Sequence, residues 1–366
     1  MKRKHLVLTL FLATISAVIY LTCQSGDQSI YLNHQPHQKL SEYNFFEGLL
    51  SDLEPRQQVI PYDLNSPLFS DSAYKDCFVW MPPGSSANYT TEKTLEFPDK
   101  TVLIKNFFFH HDERDPSKGR KIIETRLLIK QNGEWKAHGY IWNEEQTDAY
   151  LEVIGGIQEI SWTNKEGQLQ TINYIIPNKN QCKSCHLEGR KLIPIGPKAR
   201  NLNKLYSYAD GSMNQLAKWS SLGYLNGFKL DVETPRAAVW NDPTSGTLHQ
   251  RAISYLDINC GHCHNPSGSA NTSGLHLVDG TKTDISLGVY KATVSAGAGT
   301  GGHSYSIVPG NPRESIMVYR MNATNPAAMM PELGRSIVHK EGVALISEWI
   351  EKMTVDSMQV QSSSLQ

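Results

Sequence analysis

Apolar residues between positions 60 and 176 fall into short runs rich in β-branched and aromatic side chains, each bounded by turn residues. On this pattern residues 101–109, 121–130, 134–142, 151–154, 159–163 and 169–176 read as strands. Asn132-Gly133 lies between two of them and signals a tight hairpin, and Lys165-Glu166-Gly167 marks a second turn. Elsewhere the apolar period lengthens. Residues 40–50 form a short amphipathic helix candidate. Residues 214–225 place Leu216, Trp219 and Leu222 on one side of a helix. Residues 248–258 carry Ala252, Tyr255, Leu256 and Ile258 near helical spacing. Residues 341–352 align Val343, Leu345, Ile346, Trp349 and Ile350 on one face. A β-rich unit followed by helical segments predicts a multi-domain α+β chain built around an antiparallel β sandwich or barrel.

Two pentapeptides of one form stand outside these patterns: Cys182-Lys183-Ser184-Cys185-His186 and Cys260-Gly261-His262-Cys263-His264. Each is C-x-x-C-H, the attachment signature of c-type haem. The spacing suits the chemistry. Two thiols three positions apart reach the two vinyl groups on one porphyrin edge, and the following histidine lies under the ring to ligate iron. Cys182, Cys185, Cys260 and Cys263 are therefore candidate haem attachment sites, and His186 and His264 candidate iron ligands. The pair uses four of the 6 cysteines. Competing readings are a four-thiolate zinc site, a redox C-x-x-C pair, or two disulfides. Zinc leaves His186 and His264 without a role, and neither motif has the βαβ setting of a redox pair.

The motifs divide the chain. Residues 1–22 read as a signal peptide, 23–59 as a linker with a short helix, and 60–178 as the β-rich domain. Residues 179–240 form a short first haem-binding segment, 241–355 a mostly α second module, and 356–366 a Ser/Gln-rich disordered tail. The first motif follows a strand and a Pro-Asn loop. Its distal ligand stays open among Met213, His110 or His111 from the β domain, and an unfilled sixth position. In the second module Pro266 is placed to offer its carbonyl to the ring N–H of His264.

Lys2, Arg3 and Lys4 precede an apolar stretch over residues 6–22, the form of an export signal. Cys23 ends that stretch and resembles a lipoprotein processing site, preceded by Tyr20-Leu21-Thr22. The mature chain is thus lipid-anchored at Cys23, cleaved and soluble, or held by an uncleaved apolar segment. An extracytoplasmic location, periplasmic or at the cell surface, fits covalent haem attachment. Cys77 is left as a buried thiol, or as a partner for an unacylated Cys23. A net charge of −1 offers no nucleic-acid or polybasic membrane signal.

The order of helix 248–258, Cys260–His264, Met330-Pro331 and a final helix resembles class I cytochromes c. That resemblance implies Met330 as distal ligand, with Met329 second. A His/Met pair favours ferrous iron and raises the reduction potential. Over nearly all its mature length the chain also resembles a family of uncharacterised bacterial dihaem c-type cytochromes. The stretches that carry this are residues 61–71, 142–149, 181–186, 195–203, 259–266, 307–312 and 329–334. The resemblance implies two covalent haem c groups and export.

Three functions compete. Two low-spin haems relay single electrons to or from a redox partner protein. Alternatively, an open sixth position on the first haem makes a peroxidase-type oxidoreductase. A third reading makes the β domain a binding module with accessory haems. Electron transfer fits a Met-ligated second haem directly, so a carrier is expected over a catalyst, with no catalytic residue assigned.

Overall fold

The computed structural model describes residues 30, 32, 35–229, 234–281, 283–294 and 296–354. The expected signal peptide, Cys23 and the tail at 356–366 lie outside the described residues. Among those described, no helix is long and apolar enough to cross a membrane.

The β-rich region is an open six-stranded antiparallel meander. Its strands are β1 (Val59–Tyr62), β2 (Tyr74–Trp80), β3 (Val102–His110), β4 (Arg120–Gln131), β5 (Glu134–Trp142) and β6 (Ala149–Glu152), paired in chain order. β7 (Gly156–Thr163) and β8 (Leu169–Ile176) form a separate hairpin that packs on the sheet. The expected sandwich or barrel is thus a sheet with a hairpin on one face, and no barrel closes among the described residues. The first and last strands of the meander do not pair, so both edges stay open. The β4–β5 turn follows from its two residues: Asn132 and Gly133 both adopt positive φ (54° and 78°), as a two-residue hairpin turn requires.

The short helix expected at residues 40–50 is instead two single 3₁₀ turns, Leu40–Tyr43 and Leu50–Asp52, flanking a two-residue strand. Asn44 and Leu53 close these turns in the left-handed conformation. Tyr43, Phe45 and Phe46 are then buried against one sheet face with Phe78, Trp80, Ile104 and Tyr140. Packing of that aromatic cluster overrides the helical period.

The opposite face carries two separate cores. At one end Phe107, Phe109 and Ile123 meet Trp162, Ile172 and Tyr174 of the β7–β8 hairpin. At the other, Ile60, Val79 and Leu103 meet Ala199, Leu202, Leu216, Trp219 and Ile258. This second core joins the sheet to both downstream segments. Pairing runs Tyr62, Cys77, Lys105, Arg126, Gly139 across the strands; Tyr62 and Cys77 belong to the second core, while Lys105 and Arg126 put two cations on the same face between the cores.

The helices are α1 (Lys179–His186), α2 (Gln215–Ser221), α3 (Leu248–Asn259), α4 (Ile316–Asn322) and α5 (Lys340–Glu351), with further short turns between them. α3 and α5 share a core of Ala252, Leu256, Leu345, Ile346 and Trp349. At Gly342 of α5 any side chain would run into the Tyr255 ring of α3.

Candidate functional site

Each C-x-x-C-H motif is presented by a helix with a reciprocal cap. Asn178 Oδ1 accepts from the amides of Asn180 and Gln181 at 3.0 and 2.9 Å, while Gln181 Oε1 accepts from the Asn178 amide at 2.8 Å. Thr247 and Gln250 repeat the arrangement at the start of α3. These boxes satisfy amides that a helix start leaves free. The first motif follows the strand β8 and the Pro177-Asn178 loop, as expected, and itself lies within the helix that starts after them. Asn178 and Gln181, at N-x-x-Q spacing, were a legible signal for it.

The two motifs fold against one another. Cys263 Sγ lies 3.9 Å from the Ser184 carbonyl. The Gly189 amide donates to Ser267 O at 2.8 Å, and Glu188 bridges Gly268. Cys185 hydrogen-bonds Cys263, which lowers the Cys263 thiol and raises that of Cys185. Among the described residues, no three His, Cys, Asp or Glu side chains are grouped as ligands for one ion. The four thiols are thus not gathered as a zinc cage.

Both histidines are oriented through Nδ1. His186 Nδ1 lies 2.8 Å from Ile193 O, and His264 Nδ1 lies 3.2 Å from Ser273 Oγ. The partner of His264 is Ser273, not the Pro266 carbonyl, because the chain turns back at residues 268–274 and returns Ser273 to the ring. In both rings the Nδ1 contact fixes the tautomer and leaves Nε2 as the acceptor nitrogen. Burial lowers both imidazoles, His186 to about 4 with Lys105 and Arg126 adding to the effect, so both are neutral at pH 7.

Cys260, Cys263, His264 and Met330 line one cleft of about 710 Å³, with Met317, Met321 and Leu277. That size and apolar lining suit a flat organic cofactor. Met330 is held at both ends of its backbone: its amide donates to Arg320 O at 3.0 Å, and its carbonyl accepts from Arg335 Nη2 at 2.9 Å. Met329 is buried among neighbouring residues and does not line the clefts described here. Asp71 anchors the far end of the Met330 loop, accepting from the Ser336 amide and hydroxyl and the Ile337 amide at 2.7 to 3.1 Å.

Cys182, Cys185 and His186 line a small cavity of about 150 Å³, shared with Cys260, His262 and Met330, whose far wall includes Lys75, Lys105 and Arg126 of the sheet. Cys185 and His186 also border an open cleft of about 1070 Å³. Met213 is not beside them: it sits on the hairpin pairing Leu205–Tyr208 with Gly211–Asn214 and is 41% exposed. His110 and His111 lie at the end of β3, where His110 packs edge-on to Tyr74 and Phe108. Neither histidine lines these cavities. Cys77 is buried and free, its thiol pushed up to about 11 by burial.

A buried ion cluster ties the first segment to α3. Asp257 Oδ2 accepts from Arg200 Nη2 at 2.9 Å, and Asp257 Oδ1 from Lys198 Nζ at 3.1 Å. Burial alone would raise the Asp257 carboxyl, but the two cations outweigh it and hold it below the usual range. Asp71, Lys105, Arg335 and Asp257 were missed in the sequence because nothing local distinguishes them from surface charges. Asp71 and Arg200 do fall within stretches that carry the dihaem resemblance. No protein-family model, curated protein or solved structure matches the chain.

Proposed function

We propose that this chain is an exported dihaem c-type cytochrome that passes single electrons through two covalently attached haem c groups to or from a redox partner protein. The observation that carries the reading is the contact between the two C-x-x-C-H motifs, with Cys263 at 3.9 Å from the Ser184 carbonyl. A stray motif has no reason to fold against a second copy. Each motif also has an Nδ1-tethered histidine, which a zinc or disulfide role does not require.

The residues fit the group. Cys182 and Cys185 would hold one haem and Cys260 and Cys263 the other, with His186 and His264 as proximal ligands. Met330 would complete the second iron. When bound, haem c supplies the one-electron couple. The chain supplies position and dielectric. The apolar walls from Leu277, Met317 and Met321 limit water around the second site. The Cys185–Cys263 contact brings the attachment points of the two groups together, so an electron can pass between them within the protein. Residues 241–355 fit a class I cytochrome c-like module, with α3 and α5 crossing at Gly342 and the Met330 loop preceding the last helix.

The test is maturation in a bacterium that attaches c-type haem, followed by a pyridine haemochrome assay and intact mass. Two haems per chain are expected. Replacing Cys182 and Cys185 with Ser, or Cys260 and Cys263 with Ser, should leave one. No added porphyrin in the intact mass ends the proposal.

A further inference from the structure

His262 stands inside the second motif, between Gly261 and Cys263, and lines all three cavities around the two motifs. Its backbone is fixed. Asn265 Nδ2 donates to the Gly261 and His262 carbonyls at 2.8 and 3.2 Å. A side chain at Gly261 would run into the Asp257 and Leu277 carbonyls, so this turn lies tight against the end of α3. The imidazole is less well satisfied. Its Nδ1 is buried and has no hydrogen-bond partner. The ring does hydrogen-bond the Cys263 thiol. Haem attachment would turn that thiol into a thioether, a weak acceptor without a proton to give. A buried ring nitrogen left unpaired carries a free-energy cost that a bond to a metal removes.

The clefts decide which iron the ring serves. The second site already has His264 and Met330 along one cleft. His186 lines two cavities. One is about 150 Å³, too small for a porphyrin, and the other is the open cleft of about 1070 Å³. Among the described residues lining that open cleft, Cys185, His186 and His262 alone carry a thiol, thioether or imidazole. Imidazole suits iron, and haem takes it as an axial ligand. His262 is also near enough to His186 to act on its charge. The other histidines nearby are placed differently. His138 and His339 line the small cavity but not the open cleft. His339 is further held by the Tyr255 hydroxyl at 3.0 Å and stacked on Phe69.

We propose that His262 is the distal ligand of the first haem, so that the second motif serves both irons. His264 takes the iron of its own haem and His262 that of the neighbour. The inference rests on the haem reading of both motifs. The first iron is then six-coordinate with two histidines, which removes the vacancy that peroxidase chemistry needs. It lacks the thioether that raises the potential of the His264/Met330 site. One electron therefore runs downhill from the first site to the second: the first iron goes from ferrous to ferric and the second from ferric to ferrous.

The test reads resonance, visible and near-infrared spectra of the ferric, haem-loaded protein. Wild type should show two low-spin haems, one with the near-infrared signature of two histidines and one with that of histidine and methionine. His262→Ala should keep two haems, turn one high-spin and leave the Met330 band unchanged. Added imidazole should return that haem to low-spin. In the Cys182→Ser, Cys185→Ser variant, which keeps the second haem alone, His262→Ala should alter nothing. Should His262→Ala fail to load two haems, His262→Met is measured instead. A thioether in place of imidazole should then raise the potential of the first haem. The proposal is overturned by a high-spin haem in wild type, by two low-spin haems in His262→Ala, or by a change confined to the second haem. An unchanged first-haem potential in His262→Met overturns it equally. Two haems with any of these results would leave the dihaem reading standing. No added porphyrin would remove both.

Discussion

Replacing Asp257 with Asn tests whether the two motif-bearing segments are held by one buried charge cluster. The side chains of Arg200 and Asp257 are 5% and 4% exposed, with 2.9 Å between Nη2 and Oδ2. At an effective dielectric of 20 a pair this close attracts by about 5 kcal/mol. Desolvating both ions offsets much of that, so the intact pair adds little net stability. Removing only the carboxylate is different. Arg200 and Lys198 then stay in place without their main partner, a change that costs about 3–5 kcal/mol. Glu92 and Asp279 lie 3.8 and 3.5 Å from Arg200 but are themselves well exposed. They soften the loss, which places the expectation near about 3 kcal/mol. Urea unfolding of the haem-loaded protein at pH 7 measures it as a fall in midpoint at constant slope. The pH dependence has a definite sign. A depressed carboxyl contributes stability above its unfolded pKa of about 3.9, and that contribution disappears as pH falls through the folded value. Wild type should therefore lose more stability than Asp257→Asn on acidification below about pH 4. A double variant, Asp257→Leu with Arg200→Met, should recover part of the loss because the stranded charge goes too. A loss in Asp257→Asn below about 1 kcal/mol, the value of a solvent-exposed pair, would refute the reasoning.

Met330→Ala should lower the potential of one haem and abolish a weak band at the red end of the ferric spectrum; both unchanged would remove Met330 as a ligand. Asp71→Ala deletes three hydrogen bonds to Ser336 and Ile337, so it should cost about 1.5–3 kcal/mol and broaden the Met330 band. Full stability with an unaltered band would show that the anchor is dispensable. Gly342→Ala drives a methyl into Tyr255, which is fixed by a 3.0 Å contact to His339 Nδ1. Despite the better helix propensity of Ala, a net loss of about 1–3 kcal/mol is expected in thermal or urea unfolding. A stabilised variant would mean the two helices do not cross there.

What the sequence determined by itself was local. The strands from β3 to β5 are legible because β-branched and aromatic runs report on their own pleat, and Asn132-Gly133 makes its turn without help from elsewhere. α3 and α5 follow from apolar spacing within a dozen residues. The two C-x-x-C-H motifs are visible because covalent attachment needs its thiols and histidine at fixed short spacing. The tertiary structure decided whatever depends on distant segments. Residues 40–50 lost their helical reading to an aromatic cluster drawn from strands far along the chain. Open edges rather than a barrel reflect how the meander packs, and hydrophobic pattern does not encode that. Met330 rather than Met329 lines the cleft with His264 because Arg320 and Arg335 hold its backbone. Ser273 rather than Pro266 meets the His264 ring because the loop turns back. The meeting of Cys185 with Cys263, and of Lys105 with the cavity at His186, arises from packing across the two cores of one sheet face. Packing free energy is summed over contacts between remote residues, and a one-dimensional pattern carries only the part contributed by near neighbours.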